Sequence, residues 1–311
     1  MTRSTAHHDA PQTVSPVGTH RPSHWAALAL GIAAVSTASV LIRLADAPAP
    51  VVGAWRLLLA TALFAPWGWP SLRREGRRLS RRQVVSLALA GAALAVHFAA
   101  WISSLSYTTV SSSVILVSTN PIFVGLASRY LLRERVTFRQ VAAILVAVLG
   151  SVVVGYGDLG LSARAMWGNG LALVGALAAS AYILLGREVR RTLSTSAYIW
   201  PCYGIAGVLL LLFCLLTGQP LMGYGGRTYL IFALLALGPQ LLGHSMFNWA
   251  LAHYSPILVT VAILGEPVGA TLLAYFALGE APGLLTVIGG MLILTGIALA
   301  VADERGASST D

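Results

Sequence analysis

Two polar residues that stand directly before prolines are the strongest candidates for chemistry in this chain. Asn120-Pro121 and Glu266-Pro267 each interrupt a long apolar stretch. A proline inside a helix cannot donate its backbone hydrogen bond, so each pair frees a carbonyl oxygen of the preceding turn. A carboxylate at membrane depth is costly and is usually functional. We therefore predict Glu266 as a proton-coupling residue. The alternative is that Glu266 only fixes the shape of its helix.

The two pairs are copies of one another in an internal repeat. Residues 105–154 recur without gaps at residues 251–300, so that Asn120 corresponds to Glu266 and Gly150 to Gly296. A weaker copy upstream relates residue 36 to residue 180, both serines. Each half then contains five helices, an odd number, so the halves are inserted in opposite orientations. Inverted repeats of this kind bind their substrate near the midplane, where the halves meet.

The composition is that of a helical membrane protein. Hydrophobic residues make up 57% of the chain and charged residues 10%, with a mean hydropathy of +0.77. Soluble proteins contain about 25% charged residues. We predict an all-α integral membrane protein with ten transmembrane helices in two inverted five-helix repeats. The predicted helices are 25–42, 51–69, 84–107, 110–128, 138–156, 167–186, 197–217, 228–250, 257–278 and 283–302.

The same pattern predicts the division of the chain. Residues 1–24 are expected to form a disordered cytoplasmic tail, 25–156 the first repeat, 157–166 an external linker, 167–302 the second repeat and 303–311 a second cytoplasmic tail. A signal peptide would have its charges and apolar core at the very start, so we expect the first helix to be retained. Cys202 and Cys214 lie about 18 Å apart along one helix and cannot form a disulfide with each other.

The net charge of +9 is distributed by membrane side. All 20 residues counted as Lys or Arg are arginines. They cluster in alternate loops, at residues 73, 74, 77, 78, 81 and 82, at 129, 133, 135 and 139, and at 187, 190 and 191. The remaining loops contain only Arg43, Arg164 and Arg227. This pattern predicts a bacterial-type plasma (inner) membrane protein with both termini in the cytoplasm. It indicates topology rather than ligand binding, and we expect no nucleic-acid partner.

Polar and aromatic side chains form a stripe on each of two helices that the repeat relates. The stripes consist of His97, Trp101 and Ser104 on the third helix, and of Gln240, His244 and Phe247 on the eighth, with Asn248 beside them. Pro239 is expected to kink the eighth helix. For any single member the alternative is a structural role, such as a tryptophan of the interfacial belt. Arg56, near the start of the second helix, either snorkels to the surface or faces a cavity and attracts a carboxylate.

The sequence contains no recognisable enzyme motif. The absence of Lys excludes a Walker A loop, and HExxH and GxSxG do not occur. Residues 155–158, Gly-Tyr-Gly-Asp, resemble a potassium-channel filter, and also match part of the dinucleotide fingerprint and the GxGD of intramembrane proteases. A full-length membrane helix precedes this motif, and neither a pore helix, a βαβ unit nor a second intramembrane Asp accompanies it, so an external connector is the better interpretation. We predict no enzymatic activity, no cofactor and no metal.

The repeat and its motifs resemble the drug/metabolite transporter superfamily, specifically its EamA-type ten-helix members. The resemblance covers roughly residues 25–302. It rests on the early Arg56, on the mid-helix prolines Pro121 and Pro267, on the Leu-x-Glu sequences at 132–134 and 278–280, and on the glycines that close each repeat. It implies a central cavity lined by both halves and alternating access. The YddG-type amino acid exporters are the nearest functional comparison.

From these residues and this resemblance we expect a secondary transporter that exports small polar metabolites such as amino acids. Asn120, Gln240 and His97 would bind the polar groups of the solute, Arg56 its carboxylate. Its side chain would pack against Trp101, Phe247 and Tyr275, with His244 and Asn248 completing the site. Alternatives are drug or nucleoside efflux, a uniport facilitator, and a channel-like or structural membrane protein. The expected partners are the solute and membrane lipid, and the protein would be a monomer or a homodimer.

Overall fold

The computed structural model describes residues 22–108, 110–131, 136–154, 162–278 and 283–308, and every regular element within these ranges is helical. We number the membrane segments α1 to α10, counting a segment with a break as one. They are α1 (Pro22–Val35 and Ala38–Leu44), α2 (Ala49–Glu75), α3 (Arg81–Ser104), α4 (Val110–Val117 and Asn120–Tyr130), α5 (Phe138–Val154), α6 (Ala163–Arg190), α7 (Thr195–Leu216), α8 (Gly226–Leu235, Ala236–His244 and Ser245–Ala250), α9 (Pro256–Ile263 and Gly265–Leu278) and α10 (Leu284–Ser308).

Length and composition mark most of these segments as membrane spans. In the described part of the chain, α1, α2, α3, α6, α7, α8 and α10 are each long and apolar enough to cross a bilayer. Shorter apolar helices represent α5 and α9. The outer surface is lined by large apolar side chains, as in Leu216 at 86% exposure and Leu284 at 76%. Such a surface is suited to lipid rather than to water, and the predicted ten-helix membrane fold is confirmed.

The polar–proline pairs break their helices at equivalent places. Helix α4 is interrupted after Val117 and resumes at Asn120, and α9 is interrupted after Ile263 and resumes at Gly265. Each proline therefore lies within the first turn of the second piece, where its missing N–H costs little. Pro239 lies in a π-helical stretch, Ala236–His244, inside α8. Both Pro and π-helical stretches are recognised causes of helix kinks, and the expected kink stays a prediction.

Contacts between the halves are reciprocal, as a twofold relation requires. A methyl group at Gly150 of α5 would lie 2.7 Å from the backbone nitrogen of Ile293 in α10. A methyl group at Gly296 of α10 would lie 2.8 Å from the backbone nitrogen of Ala147 in α5. In the register that pairs Gly150 with Gly296, Ala147 pairs with Ile293, so the two contacts exchange under the repeat. The halves are therefore inverted copies that meet across a close-packed seam between α5 and α10.

The same exchange relates the helices around the centre of the molecule. A methyl group at Gly175 of α6 would lie 3.2 Å from Cβ of Trp101 in α3. A methyl group at Gly31 of α1 would lie 2.9 Å from a ring carbon of Phe247 in α8. The repeat pairs Gly31 with Gly175 and Trp101 with Phe247. A glycine from each half thus allows an aromatic residue of the other half to approach the centre closely.

Candidate functional site

A cavity of about 780 Å³, including its open part, lies where the two halves meet. Residues of α1, α2, α3 and α4 from the first half and of α6, α8 and α9 from the second half line it. The predicted site residues that line it are Arg56, His97, Trp101, Asn120, His244, Phe247, Asn248 and Glu266. Gln240 lies behind the lining, and the side chain of Tyr275 is outside the described residues. The structure therefore brings most of the predicted residues into one chamber.

Arg56 is wholly buried and faces this cavity, so the snorkelling interpretation is wrong. Its Nε donates a hydrogen bond of 2.7 Å to Oε1 of Gln240. Its guanidinium carbon lies 4.3 Å from the ring centre of Phe98, a favourable cation–π distance. Within the described residues, neither Nη1 nor Nη2 has a hydrogen-bond partner. A buried guanidinium with two free donors is arranged to bind an acceptor from a ligand.

Glu266 lies in the same cavity but does not form a contact ion pair with Arg56. Among the described residues the only salt bridge within 4.0 Å joins Arg82 and Glu188, far from the cavity lining. Glu266 is partly exposed to the cavity, and Arg56 and Glu266 attract each other across it. Arg56 and Glu266 thus line one cavity without a direct ion pair between them.

Two serines hold the broken helices by equivalent hydrogen bonds. The Ser180 hydroxyl of α6 is shared between the carbonyl oxygen of Ala176 in its own helix, at 2.8 Å, and that of Asn120, at 3.2 Å. The Ser36 hydroxyl of α1 is likewise shared between the carbonyl oxygens of Ile32, at 2.8 Å, and Glu266, at 3.2 Å. Asn120 and Glu266 lie in the opposite half from the serine that contacts them, so these bonds join the halves at the cavity wall. The side-chain Oδ1 of Asn120 has no partner among the described residues.

The predicted aromatic stripe on α3 forms one wall. The rings of His97 and Trp101 stack at 5.8 Å with an angle of 10°. His97 Nδ1 donates to the carbonyl oxygen of Gly175 at 2.9 Å, so this nitrogen carries a hydrogen. Trp101 Nε1 is buried without a partner in the described structure. The interfacial-belt interpretation of Trp101 is therefore wrong, and its indole contributes a donor to the cavity wall.

Sequence reasoning missed two buried tyrosines at the opposite wall, of which Tyr182 lines the cavity and Tyr203 does not. The Asn248 side-chain nitrogen lies within hydrogen-bond distance of the hydroxyls of Tyr182 and Tyr203 and of the carbonyl of His244. Tyr203 also bonds to Ser245 at 3.3 Å. A buried tyrosine needs a partner for its hydroxyl. A tyrosine in the middle of an apolar helix is therefore the feature of the sequence that could have indicated these polar contacts. The cluster orients Asn248, whose Oδ1 remains without a partner in the described residues.

Arg190 corrects the interpretation of the loop arginines. The sequence pattern placed it in a loop, but it is the last residue of α6 and only 7% exposed. Its Nε donates to the carbonyl oxygen of Asn248 at 3.1 Å, its Nη2 to Thr195 Oγ1 at 2.8 Å, and its Nη1 to the carbonyl of Leu193. Arg190 therefore caps the end of α8 and joins it to α6 and α7. Its role in the structure is packing at a helix end.

The buried polar atoms without partners define what the cavity can do. Three are donors on cavity-lining residues, namely Nη1 and Nη2 of Arg56 and Nε1 of Trp101, and a fourth, Nε2 of Gln240, lies behind the lining. Two are acceptors, Oδ1 of Asn120 and Oδ1 of Asn248. Because a buried polar atom without a hydrogen bond costs about 1–3 kcal/mol, a concentration of them in one place indicates a binding site for a solute or water. The set suits a solute that offers both acceptors and donors.

The prediction of no metal and the interpretation of residues 155–158 as an external connector both remain predictions. Across the described ranges, no group of three or more His, Cys, Asp or Glu side chains is placed to hold a metal ion. The Gly-Tyr-Gly-Asp motif at 155–158 and most of the Leu-x-Glu sequences at 132–134 and 278–280 lie outside the described residues.

Two inverted five-helix halves that enclose a cavity with polar and charged residues at their contact are typical of a membrane transporter. Comparison with known families agrees with this class. The model of the EamA-like transporter family matches residues 23–156 and 166–302. The chain therefore belongs to the EamA-like transporter family, and the predicted superfamily is confirmed.

Individual relatives have low sequence identity but align with most of the chain. An uncharacterized transporter of Archaeoglobus fulgidus is 24% identical over 256 residues, 81% of this chain and 87% of its own length. An uncharacterized transporter of Clostridium kluyveri is 23% identical over 265 residues, 81% of this chain and 83% of its own. A protein of known crystal structure, 21% identical, superposes with a TM-score of 0.75 over 92% of this chain and 99% of its own. That similarity shows a shared fold.

Proposed function

We propose that this protein is a secondary transporter that exports small zwitterionic metabolites, such as amino acids, by alternating access. The observation that carries the proposal is the set of unpartnered donors and acceptors in one cavity, with a fixed cation and a carboxylate. The proposal does not involve catalysis.

The two charged residues of the cavity would bind opposite ends of the solute. Nη1 and Nη2 of Arg56 would bind the carboxylate of the solute in a bidentate geometry. Its ammonium group would lie toward Glu266, with Oδ1 of Asn120 or Asn248 as additional acceptors. The rings of Trp101 and Phe247 then face the remainder of the solute. A solute that lacks either charge would leave one pole of the cavity unpaired, which costs affinity.

Glu266 is the proposed coupling residue. A proton on its carboxylate would weaken attraction for the solute ammonium, so proton entry and solute release are linked in the sense of an antiporter. The test is flux in proteoliposomes with and without a pH gradient. The Glu266→Gln variant should lose gradient-driven flux and retain solute exchange, whereas the matched control Glu188→Gln, outside the cavity, should retain both. Full gradient-driven flux in Glu266→Gln would show that Glu266 only shapes its helix and that the protein is a facilitator.

A solute screen tests the substrate class. Counterflow into vesicles should be measured with labelled amino acids, then with nucleosides and with cationic drugs that lack a carboxylate. Saturable exchange of amino acids supports the proposal. Preference for nucleosides or drugs would favour the efflux alternative, and an ohmic current without saturable exchange would indicate a channel.

We further propose that both termini face the cytoplasm of a bacterial-type inner membrane and that the unit is a monomer or homodimer without a nucleic-acid partner. What supports the orientation is the arginine-rich segment between α2 and α3, on the same membrane side as the start of α1. Reporter fusions at both termini would test it, since an external reporter signal from either terminus contradicts the assignment.

A further inference from the structure

The connection between α2 and α3 is dense in exposed arginines. We call residues 73–82 the basic segment. It comprises the last turn of α2, a short 3₁₀ turn at Gly76–Arg78, and the first residues of α3. Six of its ten residues are arginines, and all six side chains are exposed, Arg82 to 84%. Such a concentration of like charge is unfavourable unless anions from elsewhere offset it.

The carboxylates near this segment are already engaged. Glu75 accepts hydrogen bonds from the backbone N–H and the hydroxyl of Ser194, at 2.6 and 2.7 Å. Glu188 forms the ion pair with Arg82 at 3.0 Å and accepts from Ser86. Among the described residues, the arginines at 73, 74, 77, 78 and 81 have no salt bridge. The described part of the protein therefore leaves five exposed cationic side chains of this segment without a salt bridge.

The position of the segment along α2 places it at the level of lipid headgroups. Trp67 is 62% and Trp69 is 55% exposed on the outer surface of α2. Exposed tryptophans concentrate at the membrane–water interface. Arg73 is one helical turn beyond Trp69, about 6 Å along the axis. The headgroup region on each side of a bilayer has a similar thickness, so the arginines meet the phosphates rather than bulk water.

We infer that the basic segment binds anionic phospholipid headgroups, of the phosphatidylglycerol class. Arginine matches the geometry of a phosphate with paired N–H donors. Basic residues next to a membrane helix are attracted to anionic lipid. Exposed tryptophans on the same helix favour lipid over soluble phosphate or nucleic acid. The inference goes beyond the transport function and does not depend on the identity of the solute.

The test measures lipid binding to the purified protein in detergent, where membrane sidedness does not affect the result. Phosphatidylglycerol and phosphatidylcholine with the same acyl chains are titrated and bound lipid is counted by native mass spectrometry. The variant is Arg73→Gln/Arg77→Gln/Arg78→Gln. Its matched control is Arg43→Gln/Arg164→Gln/Arg227→Gln, three exposed arginines at the opposite membrane face.

Each arginine near an anionic surface contributes a factor of about five. The basic-segment variant should therefore bind phosphatidylglycerol on the order of a hundredfold more weakly, whereas the control should bind like wild type. The corresponding triple Lys variant should retain binding within a few-fold, because it preserves the charge. Should the triple Gln variant fail to fold, the three single Gln variants replace it, each with an expected loss of about fivefold.

Three outcomes would overturn the inference. The first is unchanged phosphatidylglycerol binding in the basic-segment variant. The second is equal loss in the control, which would indicate a net-charge effect without a site. The third is equally tight binding of phosphatidylcholine, or full competition by soluble glycerol phosphate, which would indicate a phosphate site that does not require lipid.

Discussion

Two buried arginines with opposite hydrogen-bonding status allow function and stability to be separated. Arg190 directs its donors at three acceptors, the carbonyl oxygen of Asn248 in α8, that of Leu193 in the α6–α7 connection, and Thr195 Oγ1 in α7. Arg56 has one hydrogen bond and one aromatic contact, and two of its donor atoms have no partner in the described structure. Replacing each by Met removes the charge and keeps a side chain of similar length. The two variants should have opposite consequences.

The expected magnitudes follow from these contacts. Arg190→Met loses three charge-assisted hydrogen bonds and leaves the carbonyl of Asn248 in α8 without this donor, so the free energy of unfolding should fall by about 3–5 kcal/mol. Arg56→Met loses a hydrogen bond and a cation–π contact, together about 3 kcal/mol. It also removes two unpartnered buried donors, each costing about 1–3 kcal/mol. The net change in stability should therefore lie within about 2 kcal/mol of zero. Solute affinity should fall about a hundredfold, since a bidentate carboxylate contact of about 3 kcal/mol is lost.

The assay pairs thermal unfolding in detergent with solute counterflow in proteoliposomes. Arg56→Met should unfold near the wild-type temperature and require far more solute for half-maximal exchange. Arg190→Met should unfold at a clearly lower temperature, and the folded fraction should keep a near-normal half-saturation concentration. If Arg56→Met is the less stable of the two and the folded protein binds solute normally, then Arg56 is a packing residue and the proposed carboxylate site is wrong.

Three further predictions concern packing, the helix breaks and the aromatic wall. Gly296→Ala should lower the unfolding temperature markedly, because the new methyl group would overlap the backbone of α5. The control Gly170→Ala, where a methyl group would have nothing within 4 Å, should leave the unfolding temperature unchanged or slightly raised. Equal unfolding temperatures of the two variants would show that α5 and α10 are not closely packed. Ser36→Ala and Ser180→Ala should each lose about 1 kcal/mol of stability. Only Ser36→Ala should change the response of transport to a pH gradient. An equal change of that response in both variants would argue against different roles of the two helix breaks. Trp101→Phe should preserve stability and weaken solute binding about fivefold, because the free indole N–H is lost. Solute titration of the exchange rate would measure this change in affinity. An unchanged affinity would show that the Trp101 N–H does not bind the solute.

Polar residues at membrane depth made much of the site predictable from sequence. Asn120 and Glu266 stand out because an apolar helix has little reason to carry an amide or a carboxylate before a proline. The repeat then locates them near one another, which no single residue could do. Arg56 was ambiguous, since an arginine eight residues into a helix can reach either water or a cavity. Its burial depends on which neighbours close around it, and that is a property of the assembled bundle.

The residues that sequence reasoning missed are those whose types suit two environments. Tyr182 and Tyr203 suit an interface as well as a polar core, so their types alone did not mark them. Arg190 fitted the topology rule, because the rule counts charges near helix ends and carries no information on which ends meet. Gln240 was expected on the cavity stripe, but the π-helical stretch turns less per residue than an α-helix and changes the phase of the stripe. Gln240 therefore lies behind Arg56.

Under the proposed alternating access, the reciprocal contacts between the halves have a consequence for the balance between the two access states. In an inverted-repeat transporter, the inward-open and outward-open states are related by exchanging the conformations of the two halves. A contact that the repeat duplicates, such as those of Gly150 and Gly296, is then present in both states and cancels from the free-energy difference between them. Only contacts without a counterpart, such as that between Arg56 and Gln240, can favour one state. Substitutions along the seam should therefore change how stable the protein is, and substitutions around Arg56 should change which way it faces.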